Sequence, residues 1–298
     1  MKIIQQKNKF FIMSGVLVIT SIVLLIVWGL KPGIDFRGGV LTEVRFEEQH
    51  PDKIEFTNKL QELELNDLTV QASGENKMLI RFISDDDEIN SKVQEKIKEE
   101  YPKSVVERTS FISSAISKEM KGKAIQATVV AIIGIMLYIM WAFRKVSYPV
   151  ESWKYGLGAV IALTHDVVIV LGVFAFLGHK YGVEVNIPFI AALLTILGYS
   201  VNDTIVIFDR IRENLNKVKA KKNFEETVNK SINESLARSI NTSLTVVAVL
   251  LSIIFFGGES IKYFSLALLL GIVLGTHSSI FIASAVLVEA WERKLSRK

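Results

Sequence analysis

The sequence predicts an α-helical membrane protein whose six transmembrane helices carry an external ferredoxin-like α+β domain, inserted between helices one and two. Half of the 298 residues are hydrophobic and the mean hydropathy is +0.35, which is too apolar for a soluble domain of this length. Six apolar runs are each long enough to cross a bilayer. The stretch between the first two runs is polar and alternates between strand and helix patterns.

The six runs divide the chain into three parts. The first run follows Lys2, Lys7 and Lys9 as in a signal peptide, but its apolar core is too long and no small-residue cleavage site follows. We therefore expect a retained anchor. The runs lie near residues 9–30, 124–143, 156–178, 187–209, 243–258 and 263–288. The predicted domains are 1–30 (N-terminus and helix one), 31–123 (external domain) and 124–298 (helices two to six, with a cytoplasmic loop at 210–242).

The distribution of lysine and arginine predicts the orientation. Basic residues cluster before the first run, after the second, from Arg210 to Arg238 after the fourth, and at the end of the chain. With six spans, all four clusters lie on one side of the membrane, whereas the short opposite loops hold one lysine each. We expect a multi-pass protein of the cell membrane, in contact with lipid, with both termini cytoplasmic.

Residues 31–123 are predicted to fold in the order βαββαβ, the ferredoxin-like arrangement. Four segments have strand periodicity, and two have apolar residues at helical spacing, including Ile54, Leu60 and Leu63 in the first. The strands are VLTEVRFE (40–47), LNDLTVQA (65–72), KMLIRFI (77–83) and SVVERTSF (104–111), and the helices are 52–64 and 86–100. Residues 31–122 contain 19 acidic and 14 basic residues, which argues against nucleic-acid binding.

Several classes of function lack their motifs. The chain contains no cysteine, and its four histidines show no metal-binding spacing. It has no phosphate-binding glycine loop and no serine nucleophile elbow. We therefore expect neither an enzyme nor a protein that holds a cofactor or a metal.

Asp203 is the most informative polar residue within a predicted span. It lies 16 residues after Ile187, or about 24 Å along a helix, in the inner half of the membrane. An acid within the membrane suggests an ion path, although a structural carboxylate bonded inside the bundle is the alternative. Arg238 is its most plausible cationic partner, on an amphipathic segment just before the fifth span. An ordinary cytoplasmic arginine would explain that residue equally well.

Other polar residues predict a network inside the bundle. His165 and Asp166 fall near the middle of the third span, where they could relay protons or join neighbouring helices. Tyr199, Ser200 and Asn202 surround Asp203 on the fourth span. In the sixth span, Gly271, Gly275 and Ser279 recur every four residues and predict a close helix contact, inside which Thr276 and His277 should find partners.

Five motifs follow one another along the chain. GIDFRGG (33–39), directly after the first span, contains Gly33, Asp35, Gly38 and Gly39. The others are LTHDVVIVLG (163–172), LGYSVNDTIVIFDRIREN (197–214), ESLARSINTSLT (234–245) and FFGGESIKYFSLALLLGIVLGTHSSIFIASA (255–285). Together they resemble the motifs of SecF proteins, members of the SecD/SecF export family within the resistance-nodulation-division superfamily, whose signature turn usually has threonine where this chain has Arg37.

The resemblance implies a subunit of the Sec protein-export machinery. Such a subunit acts with SecD, here a separate chain, and beside the SecYEG channel. It uses an ion gradient to help preproteins complete their export at the outer face. The family's ion-path residues correspond to Asp203 and Arg238, and a single carboxylate suits either protons or sodium ions. The alternatives are a lipid or drug transporter of the same superfamily and a non-conducting scaffold for the translocase.

Overall fold

The computed structural model describes residues 2–47, 51–74, 76–84, 86–144, 150–217 and 224–296. The chain forms two compact units. The first, termed the bundle unit, contains residues 1–31, 127–183 and 188–298. The second, termed the α+β unit, contains residues 32–126 together with 184–187.

The helices and strands follow one another in an order that matches the predicted fold. In chain order they are α1 (Lys7–Val27), α2 (Ile34–Arg37), β1 (Gly39–Phe46), α3 (Lys53–Gln61), β2 (Asn66–Ser73), β3 (Lys77–Ile83), α4 (Asp87–Glu100), β4 (Ser104–Ile112), α5 (Ser114–Ala142), α6 (Ser152–Tyr181), α7 (Ile187–Lys217), α8 (Phe224–Phe256), α9 (Glu259–His277), a π-helical segment (Ser278–Ala283) and α10 (Ser284–Leu295).

The α+β unit has the predicted βαββαβ order. Its four strands form an antiparallel sheet in the order β2-β3-β1-β4, which is the ferredoxin-like topology. Two acidic side chains begin its longer helices: Asp52 accepts bonds from the backbone of α3, and Asp86 accepts one from the backbone of α4. The fold-class prediction is confirmed in this unit.

The core of the α+β unit lies between one face of the sheet and helices α3 and α4. It is built from alternating strand residues and from helix residues three or four apart: Val40, Val44, Met78, Ile80, Phe56, Leu60, Val93 and Ile97. The sequence prediction was wrong about Ile54, which is 70% exposed. Phe56 is buried instead, because it lies one turn before Leu60 and so shares its face of α3.

Six helical spans are long and apolar enough to cross a membrane, as predicted. All six differ from their predicted limits, and α7 runs on to Lys217. α5 begins at Ser114, the last span runs through the π-helical segment to Leu295, and α8 begins at Phe224. α8 contains neither glycine nor proline, so nothing interrupts it before the fifth apolar run. Most of the stretch predicted as a loop at 210–242 is therefore helical, except for 218–223, which lie outside the described residues.

α6, α7 and the last span, which runs from α9 to α10, are the most buried helices of the bundle unit. In their most apolar windows 50%, 50% and 61% of the residues are buried, against 6% for α5. Phe143, Tyr155 and Phe208 pack ring against ring, with Tyr155 stacked on Phe143 at 5.3 Å. α1 lies so close to α6 that a Cβ atom on Gly172 would stand 2.3 Å from the Cβ atom of Ser21.

Candidate functional site

Asp203 lies on α7 with its carboxylate turned toward α8. Its Oδ1 accepts a hydrogen bond of 2.5 Å from the hydroxyl of Ser239. Its Oδ2 is buried and has no hydrogen-bond partner among the described residues. A buried carboxylate oxygen without a donor is costly. Asp203 is therefore a half-satisfied acid, and a change in its charge would alter its bond to Ser239.

Arg238 does not form the predicted ion pair with Asp203. Its side chain is exposed, and none of the described carboxylates lies within 4.0 Å of its guanidinium. The physical reason is the continuity of α8, on which consecutive side chains point about 100° apart. Ser239 takes the inward position beside Asp203, and Arg238 is turned outward. The amphipathic segment that carries Arg238 is not a separate helix but part of the continuous helix α8.

Hydroxyl groups extend from Asp203 across three helices. The Ser243 hydroxyl donates to the backbone carbonyl of Ser239 (2.9 Å) and also bonds the hydroxyl of Thr276 on α9. The phenol of Tyr199 donates to Ser243 at 3.2 Å. Asp203, Ser239, Ser243, Thr276 and Tyr199 are termed the Asp203 cluster. It joins α7, α8 and α9 through polar contacts.

Asp166 is the centre of a second and more deeply buried group. Its side chain has no exposed surface. Its Oδ2 accepts bonds from the hydroxyls of Ser200 (2.7 Å) and Ser278 (2.8 Å). Its Oδ1 lies 2.9 Å from Nδ1 of His165. These four residues, termed the Asp166 cluster, join α6, α7 and the π-helical segment, whose geometry is frequent at functional sites.

The other residues of the predicted polar network differ in whether their side chains form hydrogen bonds. Tyr199 and Ser200 are both engaged, one in each cluster. Asn202 is not, because its side chain is exposed on the far side of α7. The expectation that His277 finds a partner was wrong for its Nε2, which is buried and unbonded within the described part of the chain.

Sequence reasoning missed the hydroxyl groups that complete both clusters. Ser239 and Ser278 supply donors to the two carboxylates, and Thr204 bonds Ser279 at 2.7 Å. Their only signal was the density of serine and threonine within apolar spans. Such residues bond readily to their own helix backbone, as Ser252 does with Ala248, so their presence alone does not identify partners.

Glycines bring α9 close to α7 beside both clusters. A Cβ atom on Gly271 would lie 2.2 Å from Cγ1 of Ile196, and one on Gly275 would lie 2.9 Å from Cβ of Ser200. No side chain fits at Gly271 unless Ile196 moves. The close helix contact expected from the spacing of these glycines is present.

The signature turn is in the α+β unit. Gly38 and Gly39 have φ angles of +79° and +115°, which favour glycine, and a Cβ atom on Gly39 would lie 2.4 Å from the carbonyl oxygen of Phe82. The backbone N–H of Gly33 donates to the carbonyl of Val185 at 2.8 Å. The carboxylate of Asp35 accepts a bond of 2.8 Å from the backbone N–H of Ile187.

Arg37 forms an ion pair with Asp67 at 2.8 Å, at the edge of the sheet. The turn therefore holds the segment 184–187 within the α+β unit through one carboxylate contact and one backbone hydrogen bond, and the arginine takes part in neither. Within the described residues, no group of three or more His, Asp and Glu side chains could hold a metal ion.

Six apolar helical spans, an inserted ferredoxin-like domain and acidic groups inside the bundle define a multi-pass membrane protein of the transport class. The chain belongs to the SecD/SecF family of protein-export membrane proteins. Residues 92–293 match the model of the SecD/SecF C-terminal region, and residues 23–49, which include the signature turn, match the SecD/SecF GG motif. The family resemblance of the sequence is thereby confirmed.

Related sequences agree over nearly the whole chain. The protein translocase subunit SecF of Thermobaculum terrenum is 40% identical over 98% of this chain and 94% of its own length. The SecF subunit of Rhodothermus marinus is 38% identical over 99% of this chain and 94% of its own length. Both relatives are named as subunits of a translocase, a transport assembly.

Two solved structures have the same fold. SecDF of Thermus thermophilus, described as a translocon-associated membrane protein, superposes with a TM-score of 0.84 at 33% identity, covering 97% of this chain. SecDF in a super-membrane-facing form gives a TM-score of 0.70 at 31% identity, covering 99%. This chain spans 38% and 39% of those two chains.

Proposed function

We propose that this chain acts as a SecF subunit of the Sec protein-export machinery. In this proposal it assembles with SecD beside the SecYEG channel, and uses a proton or sodium gradient to help preproteins leave the channel at the outer face. Family membership and the names of its relatives support the general role. Asp203 supports the use of an ion gradient.

The state of Asp203 is the observation that carries the proposal. One carboxylate oxygen is held by Ser239 and the other is buried without a donor among the described residues. A purely structural acid would be expected to have both oxygens bonded. An acid that must bind and release a cation needs an oxygen that is free to do so. Ionisable groups within transmembrane segments most often mark ion or proton pathways.

Energy from the membrane potential is large enough to drive a change of state at Asp203. Moving one charge through the potential yields about 2.3 kcal/mol per 100 mV. A typical coupling between two sites is about 1–3 kcal/mol. When Asp203 binds the cation, its charge is neutralised and its hold on the Ser239 hydroxyl weakens, so that α7 and α8 can repack. When it releases the cation, the original contact returns.

The exposed position of Arg238 supports the proposal that a partner subunit covers the exposed side of α8. A guanidinium exposed to lipid is costly unless it reaches the interface or finds an acceptor. Within this chain its side chain is exposed and the described carboxylates are out of reach. A second six-helix subunit with an acidic or carbonyl group at this level would supply the acceptor. SecD is that partner in this proposal.

The proposed orientation places both termini in the cytoplasm and residues 31–123 outside the cell membrane. The basic residues near the ends of the spans support it. This orientation puts Asp203 in the inner half of the membrane, with the α+β domain on the side where preproteins emerge. Single cysteines placed at Glu95 and at Lys294 would test this orientation. A reagent that cannot cross the membrane should label the cysteine at position 95 in intact cells and the one at position 294 only after the membrane is opened.

Asp203→Asn, with Asp209→Asn as a matched control, tests the proposed function. Asp209 lies on the same helix, but it is exposed and pairs with Arg212 at 3.4 Å. Preprotein export is measured in sealed vesicles while the proton and sodium gradients are collapsed separately. We expect Asp203→Asn to abolish the gradient-dependent part of export and Asp209→Asn to retain it. The gradient whose collapse reduces export identifies the ion that drives it.

Two results would exclude the proposal. A non-conducting scaffold tolerates Asp203→Asn, so full gradient-dependent export in that variant would refute a motor role. A lipid or drug transporter of the same superfamily would show gradient-dependent movement of small apolar compounds in vesicles that lack SecYEG. Such movement, without any effect of Asp203→Asn on export, would favour that alternative.

A further inference from the structure

The histidine beside Asp166 is held by one nitrogen only. Nδ1 of His165 lies 2.9 Å from Oδ1 of Asp166, which is the distance of a charge-assisted hydrogen bond. With Asp166 ionised, its oxygens can only accept, and Nδ1 of His165 carries the proton in this contact. In a neutral imidazole, Nε2 is then a bare acceptor. That atom is buried and has no hydrogen-bond partner among the described residues.

A second histidine lies next to the first. The ring centroids of His165 and His277 are 6.1 Å apart and the ring planes differ by 25°. Nε2 of His277 is also buried and unbonded within the described part of the chain. The other neighbours of His277 are the rings of Phe10 and Phe281, at 6.2 and 5.0 Å, which offer no lone pair. Two imidazole rings, each with an unbonded and buried Nε2, therefore lie side by side next to the Asp166 cluster.

A role confined to joining helices does not account for this arrangement. Buried polar atoms in folded proteins are bonded in the large majority of cases. Asp166 follows that rule, with three donors on its two oxygens. His165 does not, because the nitrogen pointing away from Asp166 is unbonded. The carboxylate fixes the ring, and the free nitrogen is left as a base.

The donors around Asp166 favour a proton over a metal ion or sodium. The described residues include no group of three His, Asp and Glu side chains suited to a metal. Sodium would need bare oxygen atoms, whereas both oxygens of Asp166 already accept bonds from Ser200, Ser278 and His165. The unbonded acceptor beside Asp166 is Nε2 of His165, and an imidazole nitrogen binds a proton.

We propose that His165 and Asp166 form a second proton-binding site in the bundle, distinct from Asp203, in which Nε2 of His165 takes up the proton. Uptake forms one N–H bond and breaks none in the protein. The imidazole becomes an imidazolium with N–H groups at both nitrogens, Asp166 remains a carboxylate, and the charge of the pair changes from −1 to 0. Asp166 is a positioning residue, because it acts by holding the ring and by balancing the new charge.

The surroundings of His165 leave few groups that could influence this step. His165 contacts His277 on α9, and His277 in turn contacts Phe10 on α1. The hydroxyls that hold Asp166 belong to the neighbouring helices. Lys7 on α1 is paired with Glu289 and Glu292 on α10. Of the described ionisable side chains, only Asp166 and His277 contact His165. Titration of the site therefore depends on those two residues.

Nitrogen NMR of the purified full chain in lipid nanodiscs, labelled with ¹⁵N-histidine, tests the site. The chain has only four histidines, so each signal is assigned by a single change to glutamine. We expect His165 to carry a proton on Nδ1 alone at high pH. As the pH of the sample is lowered, we expect its Nε2 signal to move to the protonated form. His179→Gln should leave this transition unchanged, because the His179 ring stacks on Trp28 at 4.5 Å, outside the cluster.

Asp166→Asn tests the positioning role. The neutral amide cannot balance the imidazolium, so we expect Nε2 of His165 in this variant to stay unprotonated under conditions in which the wild-type Nε2 is protonated. We also expect a mixture of the two neutral tautomers. If Nε2 of wild-type His165 stays in one state as the pH is lowered, the site does not exist. An identical transition in folded Asp166→Asn would overturn the role of Asp166. Because the measurement needs no export, its failure leaves the proposed function of Asp203 untouched.

Discussion

Ser239 and Arg238 are neighbours on α8, and replacing each in turn tests which of them holds Asp203. The two replacements are expected to differ in their effect on stability. Ser239→Ala removes the hydrogen bond of 2.5 Å to the carboxylate, whose other oxygen is already buried and unbonded among the described residues. Arg238→Gln removes an exposed side chain that has no carboxylate within 4.0 Å in the described part of the chain. We expect the serine change to destabilise the isolated protein and the arginine change to have little effect.

The expected magnitudes differ enough to be distinguished. A hydrogen bond to an ionised group contributes about 1.5–3 kcal/mol, and one to a neutral carboxyl about 0.5–1.5 kcal/mol. Ser239→Ala should therefore lower the free energy of unfolding by about 0.5–3 kcal/mol, according to the charge on Asp203. An exposed substitution lies within about 0.5 kcal/mol of zero. Had Arg238 formed a buried ion pair, its loss would cost about 3–5 kcal/mol.

Unfolding of the purified chain in detergent, followed by circular dichroism, measures both changes. Ser252→Ala is the matched control, because its hydroxyl bonds only the carbonyl of Ala248 on its own helix. In a double-mutant cycle, Ser239→Ala should cost less when Asp203 is already asparagine. If Arg238→Gln costs 3 kcal/mol or more, in the range of a broken buried pair, while Ser239→Ala is neutral, then Arg238 holds the carboxylate and the reasoning from the structure is wrong.

Three further predictions concern packing, the signature turn and pH. Gly271→Ala should destabilise the bundle by about 1–3 kcal/mol, because the added carbon overpacks the contact with α7. Gly198→Ala, whose added carbon has no atom within 4 Å, should be neutral or stabilising. Equal unfolding midpoints for the two variants would contradict this prediction. Gly39→Ala should cost at least about 1–2 kcal/mol, because it combines a positive φ with a backbone clash; protease resistance of the folded chain is the measurement. Hydrogen bonding to Lys77 lowers the pKa of Glu107, so its contribution to stability is present above the ordinary carboxyl range and is lost as the pH falls through the lowered value. Thermal melts at neutral and acidic pH should show this loss in the wild type and a smaller one in Glu107→Gln; the same loss in both would refute it.

The sequence alone determined the architecture, because hydrophobic periodicity reports directly on burial. Apolar runs of sufficient length predicted the six spans, and alternating residues predicted the four strands of the α+β unit. The repeat of Gly271 and Gly275 predicted a close helix contact, because only small residues allow helices to approach so closely. In each case the relevant information lies within one segment of the chain.

The contacts of the candidate site were decided only by the tertiary structure. The helical repeat of 3.6 residues indicates which side chains share a face of one helix. It does not indicate how each helix is rotated about its axis relative to its neighbours. The rotation of α8 turns Ser239 toward Asp203 and leaves Arg238 outside, so the pair expected from charge alone does not form. Asp166 acquires its donors Ser200 and Ser278 from residues 34 and 112 positions away. Serine hydroxyls bond their own backbone as readily as a distant carboxylate, so only the packing of the helices selects the partners.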